Sequence, residues 1–176
     1  SPTSTTTKLF DFDYTTNKFT DVTPSGLASF LDGAAGCRMI VLPNGHLLLA
    51  STKKTQLWDY APATSAPTAW APKIVGSPSK NADGSYSLTG LQLTGVCEGP
   101  TYCNNIKKPS NFPIVRLTST TGKVYYARTV QWVPGVQTGS LQTGIRFNLP
   151  PGLPKGSYRL SVIASGIASA SIPFGV

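Results

Sequence analysis

The sequence predicts an all-β chain built in two parts, and three observations carry the prediction. Short apolar or alternating runs recur along the whole length, each bounded by Gly, Pro or Asn turn residues. Glycine and proline number 17 and 15 of 176 residues and are spread without a period, which leaves no room for long helices. The first third also contains an internal echo. Leu9-Phe10-Asp11-Phe12 is answered 48 residues later by Leu57-Trp58-Asp59-Tyr60. Each copy reads apolar, aromatic, acid, aromatic. A polar turn stretch follows each, and then an aromatic residue, Phe19 or Trp70.

The elements of the first part follow in order. Residues 1–7 read as a linker or extended end. Residues 8–14 and 19–22 form a strand pair around Thr15-Thr16-Asn17. Residues 24–36 are a connector of small residues, with one helical turn at Leu27-Ala28-Ser29-Phe30-Leu31. Cys37 to Leu42 is a buried strand by its apolar run. Pro43-Asn44-Gly45 is a hairpin turn, since Asn-Gly supplies the positive-φ residues that a tight turn requires. His46 to Ser51 returns as the next strand. Thr55 to Tyr60 and the Trp70 region complete a four-stranded unit. A period near 50 residues built from short strands is what one blade of a β-propeller leaves in sequence. A propeller closes with ~4–8 such blades, and this segment has material for about one and a half. The chain is therefore expected to be a piece of a larger protein or to need a partner.

The pattern changes at Pro67, Pro72 and Pro78. Seven strands are expected beyond them: Lys73–Val75, Ser85–Val96, Ile114–Ser119, Lys123–Trp132, Gly144–Leu149, Tyr158–Ala164 and Ala168–Phe174. Seven short strands over about 100 residues describe an antiparallel sandwich. Tyr125, Ala127, Thr129 and Gln131 alternate with Val124, Tyr126, Arg128, Val130 and Trp132, so one set faces the core. Trp132 is expected to plug the middle of the sandwich. The domains are thus 1–72 and 73–176.

Charge is uneven. The net +8 lies wholly in the second part. Residues 1–70 carry five bases and five acids, whereas residues 71–176 carry ten bases against Asp83 and Glu98. Arg116, Lys123, Arg128, Arg146 and Arg159 lie on strands, with Lys107 and Lys108 in a loop. These seven are candidate contacts for an anionic polymer such as acidic polysaccharide; a solvated surface is the plainer alternative. Cys97 and Cys103 bracket a turn-rich loop, and a short disulfide between them is expected in an exported protein. Cys37 is left over, and its partner would lie outside the chain or be absent. No apolar run approaches the ~18 residues of a membrane span. Charged residues are only 12%, and Ser and Thr are abundant, a mix suited to a secreted protein.

Two sets of residues carry a resemblance. Val41-Leu42-Pro43-Asn44-Gly45-His46-Leu47-Leu48-Leu49-Ala50-Ser51 resembles the inner hairpin of a kelch or galactose-oxidase-type blade. Asn111–Thr118, Val124–Thr129 and Leu149–Tyr158 resemble the C-terminal immunoglobulin-like (early-set) domain of extracellular propeller proteins. Tyr158 sits where that fold places its tyrosine corner, with the hydroxyl bonded to backbone a few residues upstream. The resemblance implies a propeller whose last blade and a half, plus the C-terminal sandwich, is this chain. The family's enzymes are copper-radical oxidases that hold copper with two tyrosines and two histidines, one histidine coming from the sandwich. This chain has a single histidine, His46, and none in the sandwich.

Other catalytic chemistry is equally thin. Asp11 and Asp13 share a strand face. Asp11 recurs as Asp59 in the echo, which marks it as a blade-structural acid. A glycosidase needs two carboxylates held ~5–9.5 Å apart in a cleft, and no pair stands out. No Gly-x-Ser-x-Gly surrounds any serine. No cofactor is expected. Trp58, Trp70, Trp132, Tyr125 and Tyr126 read first as core and interface residues and second as a sugar-stacking platform. The expected function is a non-enzymatic, secreted structural, adhesion or assembly module. It would complete or extend a β-propeller and contact anionic polymer through its basic half. The alternative is the C-terminal part of a copper-radical oxidase whose catalytic residues lie outside this chain.

Overall fold

The computed structural model describes residues 7–30, 36–52, 54–96 and 112–176. The chain is all-β, and its largest sheet is a curled half-barrel. Cys97, Cys103, Lys107 and Lys108 lie outside the described residues, and so does the proposed disulfide.

In the first part, β1 (Phe10–Asp13) and β2 (Lys18–Asp21) form an antiparallel hairpin. Asp13 ties its turn together. Its carboxylate accepts from the Thr15 amide at 2.8 Å and from the Thr15 and Thr16 hydroxyls at 2.6 Å each. Asn17 takes the left-handed conformation, φ 53°, which a short polar side chain tolerates. The helical turn α1 (Leu27–Phe30) leads to β3 (Cys37–Val41), β4 (Leu47–Ser51) and β5 (Leu57–Tyr60), a three-stranded antiparallel sheet. The turn at Asn44-Gly45 forms as its residues dictate. Gly45 has φ 86°, and its amide donates to Leu42 O at 2.9 Å. Both copies of the echo are therefore strands, β1 and β5. Leu27 and Leu49 are buried at the centre of a small cluster, with Leu9, Met39, Trp58 and Tyr60 against it. The expected fourth strand at Trp70 does not form. Thr68–Trp70 is a 3-10 turn closed by Trp70 N donating to Pro67 O at 3.0 Å. Pro67 and Pro72 flank it, and neither offers the amide a ladder needs.

In the second part, eight strands form one sheet. They are β6 (Lys73–Lys80), β7 (Tyr86–Leu91), β8 (Ile114–Ser119), β9 (Val124–Trp132), β10 (Gln142–Asn148), β11 (Ser157–Ala164), β12 (Ile167–Ala168) and β13 (Ile172–Gly175). The order is β12-β11-β8-β9-β10-β7-β6, with β13 also on β11. The sheet folds over because β9 changes partner along its length. Val124–Ala127 pairs with β8, and Arg128–Trp132 pairs with β10. The two ends meet inside. Tyr86 of β7 stacks on Phe147 of β10 at 5.6 Å and meets Phe174 of β13 at 5.2 Å. Val115, Leu117, Leu160 and Val162 complete the core with no exposed surface.

Of the two alternating sets on β9, Tyr125 and Ala127 face this core. Trp132 does not plug it, being 38% exposed. Gln131 pairs with Arg146 and Thr129 with Phe147, so Val130 is an extra, unpaired residue. The bulge brings Trp132 opposite the buried Ile145, but at the last position of β9 its ring is only partly covered. β7 stops at Leu91 and does not reach Val96, because Gln92 and Gly95 turn with φ 55° and 87°. The last expected strand is split into β12 and β13. Between them the Ser169 hydroxyl accepts from Val162 N at 3.0 Å. β6 runs past Val75 to Lys80 with a shift of register around Gly76-Ser77-Pro78, which an edge strand accommodates.

The Tyr158 hydroxyl donates to Pro154 O at 2.6 Å, the backbone bond that its spacing implies.

Candidate functional site

The strand bases fall into three places. Arg116 and Arg159 point away from the core on neighbouring strands. Arg116 lies opposite Ser161 and Tyr126, and Arg159 is two residues from Ser161. Arg128 continues the Tyr126 side of β9. Arg116, Arg128 and Arg159 therefore surround one patch of outer surface. Arg116 Nε donates to Ser161 Oγ at 3.2 Å, and Arg159 is held by Ser171. Arg146 lies on the opposite half of the curled sheet. Its guanidinium pairs with Asp83 at 2.7 Å and with Ser85 Oγ at 2.8 Å. Ser85 chiefly, with Arg146 behind it, holds the Asp83 carboxyl at about 2. Lys123 sits at the β8–β9 turn with its ammonium 5.1 Å from the Tyr125 ring centre. The five strand bases thus do not share one surface, and Arg146 already has an acid.

A second constellation lies between the two parts. A cleft of about 940 Å³ is lined by four segments. The β1 strand and its turn bring Asp11, Asp13 and Tyr14. The β3–β4 turn brings Asn44, Gly45 and His46. The segment Pro62–Trp70 and the β11–β12 turn at Ser165-Gly166 close it. The Tyr14 and Trp70 rings lie 5.8 Å apart and tilted by 34°. Tyr14 is 64% exposed. His46 Nδ1–H donates to Asp59 Oδ1 at 2.9 Å. Asp13 stays ionised well into acid, since the Thr15 hydroxyl and then the Thr16 hydroxyl hold its carboxyl at about 2. The cleft depends on close backbone approach. A Cβ on Gly166 would lie 2.8 Å from Gly45 Cα.

The sequence singled out His46 and Asp11 only to set them aside, and it passed over Tyr14. The signal that could have joined them is the echo. It places Asp13-Tyr14 after Leu9–Phe12 just as Ala61-Pro62 follow Leu57–Tyr60, so both turns leave the motif at equivalent ends.

A copper centre of two tyrosines and two histidines does not fit this chain, whose one histidine is engaged by Asp59. Among the described residues no three His, Cys, Asp or Glu side chains gather as a metal site, and no helix is long and apolar enough to cross a membrane. Comparison with protein-family models, curated proteins and solved structures finds no match to this chain.

Proposed function

We propose that the chain is a non-enzymatic structural or assembly module of a secreted protein. In it, residues 1–72 contribute kelch-like blade strands to a β-propeller, and residues 73–176 form an immunoglobulin-like, early-set domain. The observation that carries this is a difference between the two echo strands. On β5, Trp58 and Tyr60 pack against the Leu27–Leu49 cluster. On β1 the matching Phe10 and Phe12, with Phe19 beside them, are 51%, 45% and 70% exposed. Their strand neighbours are complementary as well. Among the described residues β5 has only β4 beside it, and β1 has only β2. A blade holding both neighbours needs β-structure from elsewhere, and open edges are what recruit it. The partner is the remainder of the propeller, in the same polypeptide or another, or a second copy.

The sandwich half of the proposal is supported by strand order. In the one curled sheet β6-β7-β10 lie at one end of the strand order and β8-β11 with β12 and β13 at the other, and β9 pairs with both halves. Two halves joined through one strand, with the Tyr158 hydroxyl bonded to Pro154 O, support the immunoglobulin-like reading. Arg116, Arg128 and Arg159 form the surface offered to anionic polymer. Sedimentation of the isolated chain tests the assembly role. It self-associates with rising concentration, and Phe12→Lys with Phe19→Lys abolishes the association. A wild-type chain that remains monomeric at millimolar concentration counts against it.

A further inference from the structure

We propose that the cleft between the two parts is a saccharide-binding site, with the Tyr14–Trp70 pair as its stacking platform and Asp11, Asn44 and His46 as its hydroxyl partners. The inference stands apart from the propeller proposal, since every group in it belongs to this chain.

The lining selects the ligand class. Among the described residues no lysine or arginine lines the cleft, while Asp11 and Asp13 do. In a chain of net charge +8 this is a local reversal of sign, and it disfavours anions. Polar side chains such as Asp11, Asn44 and His46 line it together with the apolar ones, which disfavours a long hydrocarbon. A sugar ring has an apolar C–H face and a rim of hydroxyls, each both donor and acceptor. Amphipathic Tyr and Trp rings suit the face. The rim needs mixed donors and acceptors with spare capacity, and the cleft has them. The Asp11 carboxylate makes no hydrogen bond or ion pair among the described residues. Asn44 uses its oxygen to accept from His46 N at 3.1 Å, which leaves its amide donors. His46 uses Nδ1 on Asp59, which leaves Nε2. A few placed polar groups beside an aromatic wall are the general anatomy of a small-molecule site. The cleft is open to solvent, with a volume of about 940 Å³.

The test is calorimetric titration of the whole chain with cellohexaose, xylohexaose, mannohexaose and chitohexaose. At least one binds and shifts the tryptophan emission. Tyr14→Ala weakens that binding about tenfold or more, and Asp11→Asn weakens it several-fold. Tyr14→Phe keeps it within about twofold, because the ring remains. Trp132→Phe, outside the cleft, leaves it unchanged. Absence of binding by all four sugars up to about 10 mM overturns the proposal. So does binding that survives Tyr14→Ala undiminished, since the sugar then sits elsewhere. Circular dichroism of Tyr14→Ala and Tyr14→Phe separates loss of binding from loss of fold.

Discussion

Replacing Gly166 by alanine tests whether the β3–β4 hairpin and the sandwich meet as described. Gly166 closes the β11–β12 turn with φ 77°. A Cβ there would lie 2.8 Å from Gly45 Cα, 2.8 Å from Val41 Cγ1 and 3.2 Å from Leu42 O. Two of these three atoms are backbone, so no rotamer change relieves the contact. The cost has two parts. Left-handed backbone at a residue with a Cβ costs about 1–2 kcal/mol. Forcing atoms into a filled junction costs a further ~1–3 kcal/mol. Gly152 separates the two, since it has φ 71° and nothing within 4 Å of its Cβ position. Gly152→Ala therefore loses only the backbone share. Urea unfolding of both variants, followed by circular dichroism and tryptophan fluorescence, reads the difference. With a slope of roughly 2 kcal/mol/M, Gly166→Ala unfolds about 0.5–1.5 M urea earlier than Gly152→Ala. Coincident midpoints would refute the reasoning, because the turn and the hairpin tip would then not be in contact.

Three further outcomes are expected. Tyr158→Phe keeps the buried ring and loses the 2.6 Å bond to Pro154, so stability falls by about 1 kcal/mol and Tm by ~2–4 °C; an unchanged Tm contradicts a structural role for the hydroxyl. Asp13, Asp21 and Asp83 have carboxyls held at about 2 in the folded chain, below the unfolded value of ~3.9. Their contribution is therefore present above pH ~4 and is lost as pH falls from there through about 2. Asp83→Asn should flatten part of that acid-side loss, and urea midpoints at pH 6 and pH 2.5 that fall equally in variant and wild type would contradict it. Arg116→Ser with Arg128→Ser should weaken binding to an acidic polysaccharide at low salt and leave Tm unchanged. Affinity that is insensitive to both salt and the double variant leaves the charge as solvation.

The strands were legible wherever local pattern and tertiary partner agree. Ile114–Ser119 alternates cleanly, with Val115 and Leu117 inward, and its predicted bounds match the fold. The Asn44-Gly45 turn and the α1 turn were legible for similar reasons. Misreadings cluster where backbone geometry interrupts a pattern that the residues continue. Beyond Leu91 the apolar sequence goes on to Val96. Yet Leu93 packs so closely on Gly90 that a Cβ there would lie 2.6 Å from it, and the chain must turn. Trp132 has core chemistry, and the unpaired Val130 even brings it opposite the buried Ile145, but it is the last residue of β9 and stays partly exposed, which no residue type announces. The basic residues were visible singly. Their division between two faces depends on which half of β9 pairs with which strand. The cleft was the least legible, because Tyr14, His46 and Trp70 come from three segments that converge only through Gly45 and Gly166.

The central claim is that this chain supplies strands to a larger β-propeller assembly. The mass of the native particle that contains it, purified from its source without denaturant, tests that claim most directly. The account predicts a particle heavier than the 18.6 kDa of the chain, held together by further blades or further copies. A particle of 18.6 kDa that stays monomeric on concentration, with Phe10, Phe12 and Phe19 still exposed to solvent, would contradict it.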